Sequence, residues 1–412
     1  MLNNDKKQLK YNAISLMVIQ ILNYILPFIT LPYIARILNV TDYGTVFFAQ
    51  AFIDYFGRFI LFGFDLSAVI QISKINYNPK KINQIFNSVL SAQIIFLFIG
   101  FIIMNLIIFF IPKFTKDWII YYWTYLGLLG TVLMFNWFYQ GIARMKFITI
   151  LNIINRLLFL LLVFTFIKEP KDYILYPLIN SLSMLFAGFI SIIFVKKYFN
   201  IKFYRPKLKY ICNSIKYSSQ FFLTKVSIAL YRSTNSFVLG LIVTSTAVAY
   251  YVAAEKIYWA ILALYLTFVN ALFPYMSKNK DIVLFKKMLK YLIFLSLLTS
   301  FVLFFISKYI ILIFYSKKYL EAVKLLQIFS FAFSFYFFVD ILGFPLLGAF
   351  GHIKETNQCY IIGGLYNIAG IILLLFFQNI NIYSITILVT TTYFVMFLHR
   401  IYYIYKYKLL KE

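Results

Sequence analysis

Charge is scarce in this 412-residue chain: charged residues make up only 13% and apolar residues 63%, against about 25% and about 45–50% in soluble domains. That shortage excludes a water-soluble core, because no aqueous fold could hide so large an apolar excess. Acids are scarcer still, with 13 Asp and Glu against 39 Lys and Arg, and no loop gathers a cluster of carboxylates suited to catalysis. Two cysteines, Cys212 and Cys359, provide neither a disulfide framework nor metal-ligand spacing. Two histidines, His352 and His399, add no ligand pattern, so no cofactor or metal is expected. A Gly-x-x-x-x-Gly-Lys-Ser/Thr run is missing, as is any polar stretch of domain length, which excludes an ATP-driven pump within this chain. Alternation of the membrane-barrel kind is also lacking: runs such as Ile94 to Phe110 are continuously apolar.

What is present is a series of apolar runs long enough for a helix to cross about 30 Å of hydrocarbon. The expected fold is all-α and integral to the membrane. Spans are expected near 12–34, 44–66, 87–111, 118–140, 147–167, 173–195, 216–240, 245–272, 289–307, 323–349, 356–377 and 382–404. Ile310 to Tyr315 is apolar but too short to cross, and suggests a re-entrant or interfacial piece. The first run follows Lys6, Lys7 and Lys10, is too long for a signal-peptide core and lacks a small-residue cleavage site, so it is expected to remain.

The net charge of +26 sits between the hydrophobic runs, where topology accounts for it better than a nucleic-acid partner. Assigning loops alternately places 25 lysines and arginines on one side and nine on the other. The positive-inside rule then puts both termini in the cytoplasm. Five cations remain within spans: Arg58, Arg156, Lys225, Arg232 and Lys256.

The chain also resembles itself at about half its length. Gly44 to Gln50 aligns with Ala249 to Glu255, and Gly141 to Lys146 with Gly348 to Lys354 after one insertion. Six spans per repeat is even, so the halves enter the membrane the same way round, related by an axis along the membrane normal. The expected organisation is an amino-terminal six-helix lobe over 1–195, a basic linker over 196–212 and a carboxyl-terminal six-helix lobe over 213–412. The linker, with Arg205-Pro206, reads as a topology anchor on anionic lipid.

Asn23-Tyr24-Ile25-Leu26-Pro27-Phe28-Ile29-Thr30-Leu31-Pro32-Tyr33-Ile34-Ala35-Arg36-Ile37-Leu38, Tyr43-Gly44, Phe48-Ala49-Gln50-Ala51 and Gly63-Phe64-Asp65-Leu66-Ser67-Ala68 form a set of motifs in the first spans. Trp137-Phe138-Tyr139-Gln140-Gly141 and Arg144-Met145-Lys146 continue it. On these residues the chain resembles the Wzx-type O-antigen flippases of the multidrug/oligosaccharidyl-lipid/polysaccharide (MOP) exporter superfamily. The sharp motifs occupy roughly the first 150 residues, and the second half carries the resemblance more weakly. Asp65 departs from the amide that the family favours at its position. The resemblance implies two MATE-like lobes around a central cavity in the bacterial inner membrane. It also implies an undecaprenyl-pyrophosphate-linked glycan as substrate, moved from the cytoplasmic to the periplasmic leaflet.

Such a substrate brings a charged diphosphate into hydrocarbon, which calls for cations at depth. Lys225 and Arg232 are seven residues apart, about 20° on a helix, and can share a face that Asn235 extends. Packing or snorkelling toward opposite surfaces is the competing reading of the pair. Arg156 with Asn152 forms a second polar stripe, for which a structural hydrogen bond is the alternative. Asp54 and Arg58, at i and i+4, are expected to pair internally, with Asp65 solvated or capping a helix. Glu255 and Lys256 are about 100° apart and should not share a face; Asp340 is either a coupling site or a buried hydrogen-bonding group. Pro27 and Pro32 should bend the first span, as a gate or for packing alone.

The expected function is alternating access by a monomer, with a proton or sodium gradient as energy source and other polysaccharide-assembly proteins as partners. The alternatives are a membrane-embedded polysaccharide polymerase or glycosyltransferase, and a small-molecule antiporter. The first usually needs large external loops, which are short here, and an organic-cation site would favour buried acids over Lys225, Arg232 and Arg156.

Overall fold

The computed structural model describes residues 29–75 and 78–410, and the side chains of 223–225, 227–232 and 270–271 lie outside that description. All regular structure among the described residues is helical. After a helical stretch over 29–37 come Val40–Leu61 (α1), Phe64–Ser73 (α2), Pro79–Phe110 (α3), Trp118–Leu133 (α4), Asn136–Gly141 (α5), Met145–Phe166 (α6) and Leu175–Phe199 (α7). Then follow Leu208–Arg232 (α8), Thr234–Ile242 (α9), Ser245–Asn279 (α10), Ile282–Phe314 (α11), Ala322–Ile341 (α12), a π-helix over Gly343–Gly348, Ile353–Phe376 (α13) and Ile382–Lys406 (α14).

Local chemistry sets these ends. Asn78 accepts from the Lys81 amide at 3.2 Å and Pro79 follows it, a strong helix start for α3; Pro112 ends the same helix, since the residue before a proline avoids helical angles. Thr244 caps α10 through the Ala247 amide at 3.1 Å, and Asp281 caps α11 through that of Leu284 at 2.9 Å. Asn381 and Ser384 form a reciprocal capping box at the start of α14.

Ten helical segments among the described residues are long and apolar enough to cross a membrane, and the protein is a multi-pass membrane protein. Of the twelve expected spans, the first begins outside the described residues and the seventh corresponds to α8 with α9. The outward surface is apolar, with Phe109 at 78% and Phe376 at 79% exposure near helix ends, as lipid contact requires. One expectation is corrected: Ile310 to Phe314 is not a separate re-entrant piece but the last turn of the 33-residue α11. Its apolar run is continuous with the span before it, and the chain turns only at Ser316, where φ is 112°.

Packing groups the described chain into two units. One holds the stretch ending at Leu38 and Ala49–Val226; the other holds Asn39–Phe48 and the chain from Ser227 onward. The boundaries fall inside α1 and α8, two continuous helices, and the basic linker belongs wholly to the first unit.

The repeat has a backbone counterpart. The fourth span breaks at Phe135 (φ 48°) into α5, and the tenth breaks after α12 into the π-helix. Both then close in a Schellman turn. In one, Ala143 (φ 54°) donates to Gln140 at 3.0 Å and Arg144 to Tyr139 at 2.8 Å; in the other, Gly351 (φ 97°) donates to Gly348 at 3.1 Å and His352 to Leu347 at 2.8 Å. Within the second unit, the two helix starts aligned by the repeat meet. Thr41 Oγ1 lies 3.0 Å from Thr246 Oγ1, and a Cβ on Gly44 would stand 1.6 Å from the Ser245 carbonyl oxygen and 3.1 Å from the Ala249 amide. Gly44 of the Tyr43-Gly44 motif is therefore a backbone-on-backbone contact, which no larger residue permits.

Candidate functional site

In the first unit, Arg156 lies half-buried within α6 with Tyr176 of α7 beside it, and Phe159 and Tyr176 meet edge-on at 5.6 Å. Asn152 lies one turn before it on the same helix. Its amide donates to its own helix at Ile148 O, 2.8 Å, the cheapest way to satisfy a donor in hydrocarbon.

Asp54 and Arg58 do not form the expected ion pair. The single ion pair among the described residues is Lys171–Glu169, in an exposed loop. Asp54 is exposed whereas the Nε of Arg58 is buried, so the two heads part although their Cα atoms share a helix face. Asp65 sits in the first turn of α2, just past Gly63 in a left-handed conformation, where a carboxylate complements the helix dipole.

Lys225 and Arg232 fall on the continuous backbone of α8, so their seven-residue spacing keeps its helical meaning; their side chains, like all of Pro27, lie outside the described residues. Ser233 interrupts the helix between α8 and α9, and Asn235 is fully buried in the first turn of α9. Pro32 is half-buried within the stretch 29–37.

In the second unit, Glu255 and Lys256 diverge as adjacent helix positions must. Ser236 of α9 donates to Glu255 Oε2 at 3.5 Å, with Tyr251 also against that carboxylate, while the Lys256 ammonium lies 5.4 Å from the Phe47 ring centre. Asp340, at the end of α12, accepts from the Tyr360 hydroxyl at 2.9 Å. Rings join the two acidic positions: Tyr251 and Tyr258 neighbour Tyr393, which packs on Tyr336 at 4.7 Å, and Tyr336 neighbours Tyr360.

A residue that sequence reasoning missed lies at the centre of this region. Arg400 of α14 is 0% exposed. Its Nε donates to Val339 O at 3.2 Å and its Nη1 to Glu355 O at 3.4 Å, tying the end of α12 to the start of α13 across the π-helix. The guanidinium lies 5.3 Å from the Tyr360 ring centre, and Asp340 and Arg400 both act on that tyrosine. Arg400 falls inside the expected span 382–404, and that position is the signal of it in the sequence. The first unit solves the equivalent problem without a charge. Ser191 of α7 donates to Met134 O at 3.0 Å, at the break of the fourth span, and lies 3.0 Å from the Tyr139 hydroxyl.

The arrangement thus places cations and hydrogen-bonded carboxylates at membrane depth on different helices, with no group of three or more potential metal ligands among the described residues.

Comparison with known proteins places this geometry in context. A family model described as polysaccharide biosynthesis protein matches residues 9–280. A candidate O-antigen transporter of Escherichia coli strain K12 is 28% identical over 374 residues, covering 89% of this chain and 90% of that protein. Its counterpart in Shigella dysenteriae is 26% identical, covering 95% and 99%. Among solved structures, the lipid II flippase MurJ in an inward closed conformation superposes with a TM-score of 0.71 at 15% identity, covering 96% of this chain and 87% of that one. An inward-facing multidrug resistance MATE family transporter of the MOP superfamily gives 0.67 at 11% identity, covering 97% and 99%. These two likenesses show the fold.

Proposed function

The chain belongs to the polysaccharide biosynthesis protein family, and from that premise we propose that it is a flippase for a lipid-linked oligosaccharide. Its cargo is an undecaprenyl-pyrophosphate-linked repeat unit, carried from the cytoplasmic to the periplasmic leaflet of the bacterial inner membrane. The observation that carries this reading is Arg156, a guanidinium held half-buried within a membrane-spanning helix. A central Arg or Lys costs about 2.5–3.5 kcal/mol on insertion scales, which a diphosphate passing the site would offset. Names given to the relatives in Escherichia coli and Shigella dysenteriae support the same substrate class.

In this mechanism Arg156, Lys225 and Arg232 receive the diphosphate, while the prenyl chain stays in lipid. Alternating access exposes the cations to one leaflet and then the other. A proton or sodium ion resets the carrier, with Glu255 and Asp340 as the carboxylates that respond to it. The protein acts as a monomer and makes or breaks no covalent bond in its cargo, exchanging it with other polysaccharide-assembly proteins.

Replacing Arg156, Lys225 and Arg232 together by Gln is expected to abolish surface polysaccharide while leaving the protein at wild-type level in the membrane. Undiminished export would sink the assignment. Purified protein in liposomes supplied with lipid-linked oligosaccharide should move it between leaflets without lengthening it; longer glycans would identify a polymerase instead.

A further inference from the structure

The segment joining α7 to α8 is an ordered strap rather than a loose tether. Asn87 of α3, only 2% exposed, holds it at two points: its Nδ2 donates to Lys202 O at 2.8 Å, and Tyr204 N donates to its Oδ1 at 3.0 Å. This two-bond pairing imitates a strand partner. Ile201 and Pro206 are buried beneath the strap, and the Phe203 ring meets Phe86 edge-on at 5.6 Å.

On this fixed frame Lys196, Lys197, Lys202, Arg205, Lys207 and Lys209 are all exposed. Among the described residues none is in an ion pair, and the chain has no Asp or Glu from 173 to 254 to supply one. Holding six like charges together costs free energy through mutual repulsion, which an outside anion would relieve. The loop between α6 and α7 differs. There Lys168 and Lys171 are accompanied by Glu169 and Asp172, and backbone amides of Lys168 and Glu169 hold the Asp172 carboxyl below its ordinary range.

Interleaved with the cations are Tyr198, Tyr204, Leu208 and Tyr210, exposed between 38% and 68%. Cations with exposed aromatic and aliphatic groups, placed where two membrane spans end, match the headgroup zone of a bilayer. We infer that the strap Lys196–Lys209 is a docking surface for anionic phospholipid headgroups in the leaflet it faces. Because Asn87 has already fixed the backbone, little ordering entropy remains to oppose binding. The strap thereby fixes the depth at which α7 and α8 enter the membrane.

Cys212, exposed in the first turns of α8, provides a reporter, and Cys359 is buried and silent. A polarity-sensitive dye on Cys212 of the purified full chain should shift to the blue in nanodiscs of mixed phosphatidylcholine and phosphatidylglycerol relative to phosphatidylcholine alone. Raising salt until the Debye length is about 3 Å should diminish the shift. Changing Lys202, Arg205, Lys207 and Lys209 together to Gln should abolish it, whereas exchanging Lys for Arg and Arg for Lys at the same positions should retain it. An equal signal in neutral discs, or one that survives the Gln substitutions, overturns the proposal. So does a shift in neutral discs that appears only on adding a prenyl-diphosphate or an acidic protein partner. Because these readings need no transport, they stand or fall separately from the flippase assignment.

Discussion

A single guanidinium illustrates what a buried charge does in this protein. Arg400 satisfies two carbonyls on two helices that the π-helix would otherwise leave loosely joined. Truncation forfeits two hydrogen bonds from a charged donor, at about 1.5–3 kcal/mol each. Arg400→Gln is therefore expected to destabilise the protein by about 3 kcal/mol, read as a lower melting temperature in detergent. Arg400→Lys should recover only part of this, since an ammonium lacks the planar fork that reaches both carbonyls. An unchanged melting temperature for Gln would remove the clamp from consideration. Tyr360→Phe takes one hydrogen bond from Asp340 and should cost about 1 kcal/mol. Among the candidate residues, divergence of Glu255 and Lys256 was legible because one position on a helix turns by about 100°. The Asp54 and Arg58 outcome was not: sequence spacing fixes where Cα atoms face, but burial of the surrounding chain decides where a long side chain ends.

Spans were legible at the element scale because apolar length alone dictates them, and α3, α6, α10 and α13 lie close to where hydropathy places them. Breaks within spans were not. Phe135 is neither proline nor glycine, and Ser233 carries no stop signal, so tertiary packing rather than local propensity sets both. The paired Schellman turns allow a test in opposite directions. Ala143 holds a left-handed conformation at the cost of its Cβ, so Ala143→Gly should stabilise by about 1 kcal/mol. Gly351→Ala, at the equivalent point of the other repeat, should destabilise by a similar amount. Chemical denaturation of the two variants measures both, and shifts of the same sign would contradict the equivalence. Gly44→Ala is a harsher change: with a carbonyl oxygen at 1.6 Å from the new Cβ, it should sharply reduce folded protein recovered from membranes.

For the whole molecule, orientation is the property that charge asymmetry predicts and that a labelling experiment reads. The positive-inside rule predicts cytoplasmic termini, which would put Cys212 in that compartment. A membrane-impermeant maleimide should modify it in inverted vesicles and fail to do so in intact spheroplasts. Modification in spheroplasts would reverse the topology. The repeat marks two similar sequences, whereas packing groups α1 and α8 by what surrounds each half of them.

The meeting of Thr41 with Thr246 and of Gly44 with Ala249 has a consequence for symmetry. When two copies of one sequence touch through the same positions, each contact is self-complementary, as it is across the two-fold axis of a homodimer. A substitution at either threonine therefore removes the same hydrogen bond, so the two single variants should cost alike and the double little more than either.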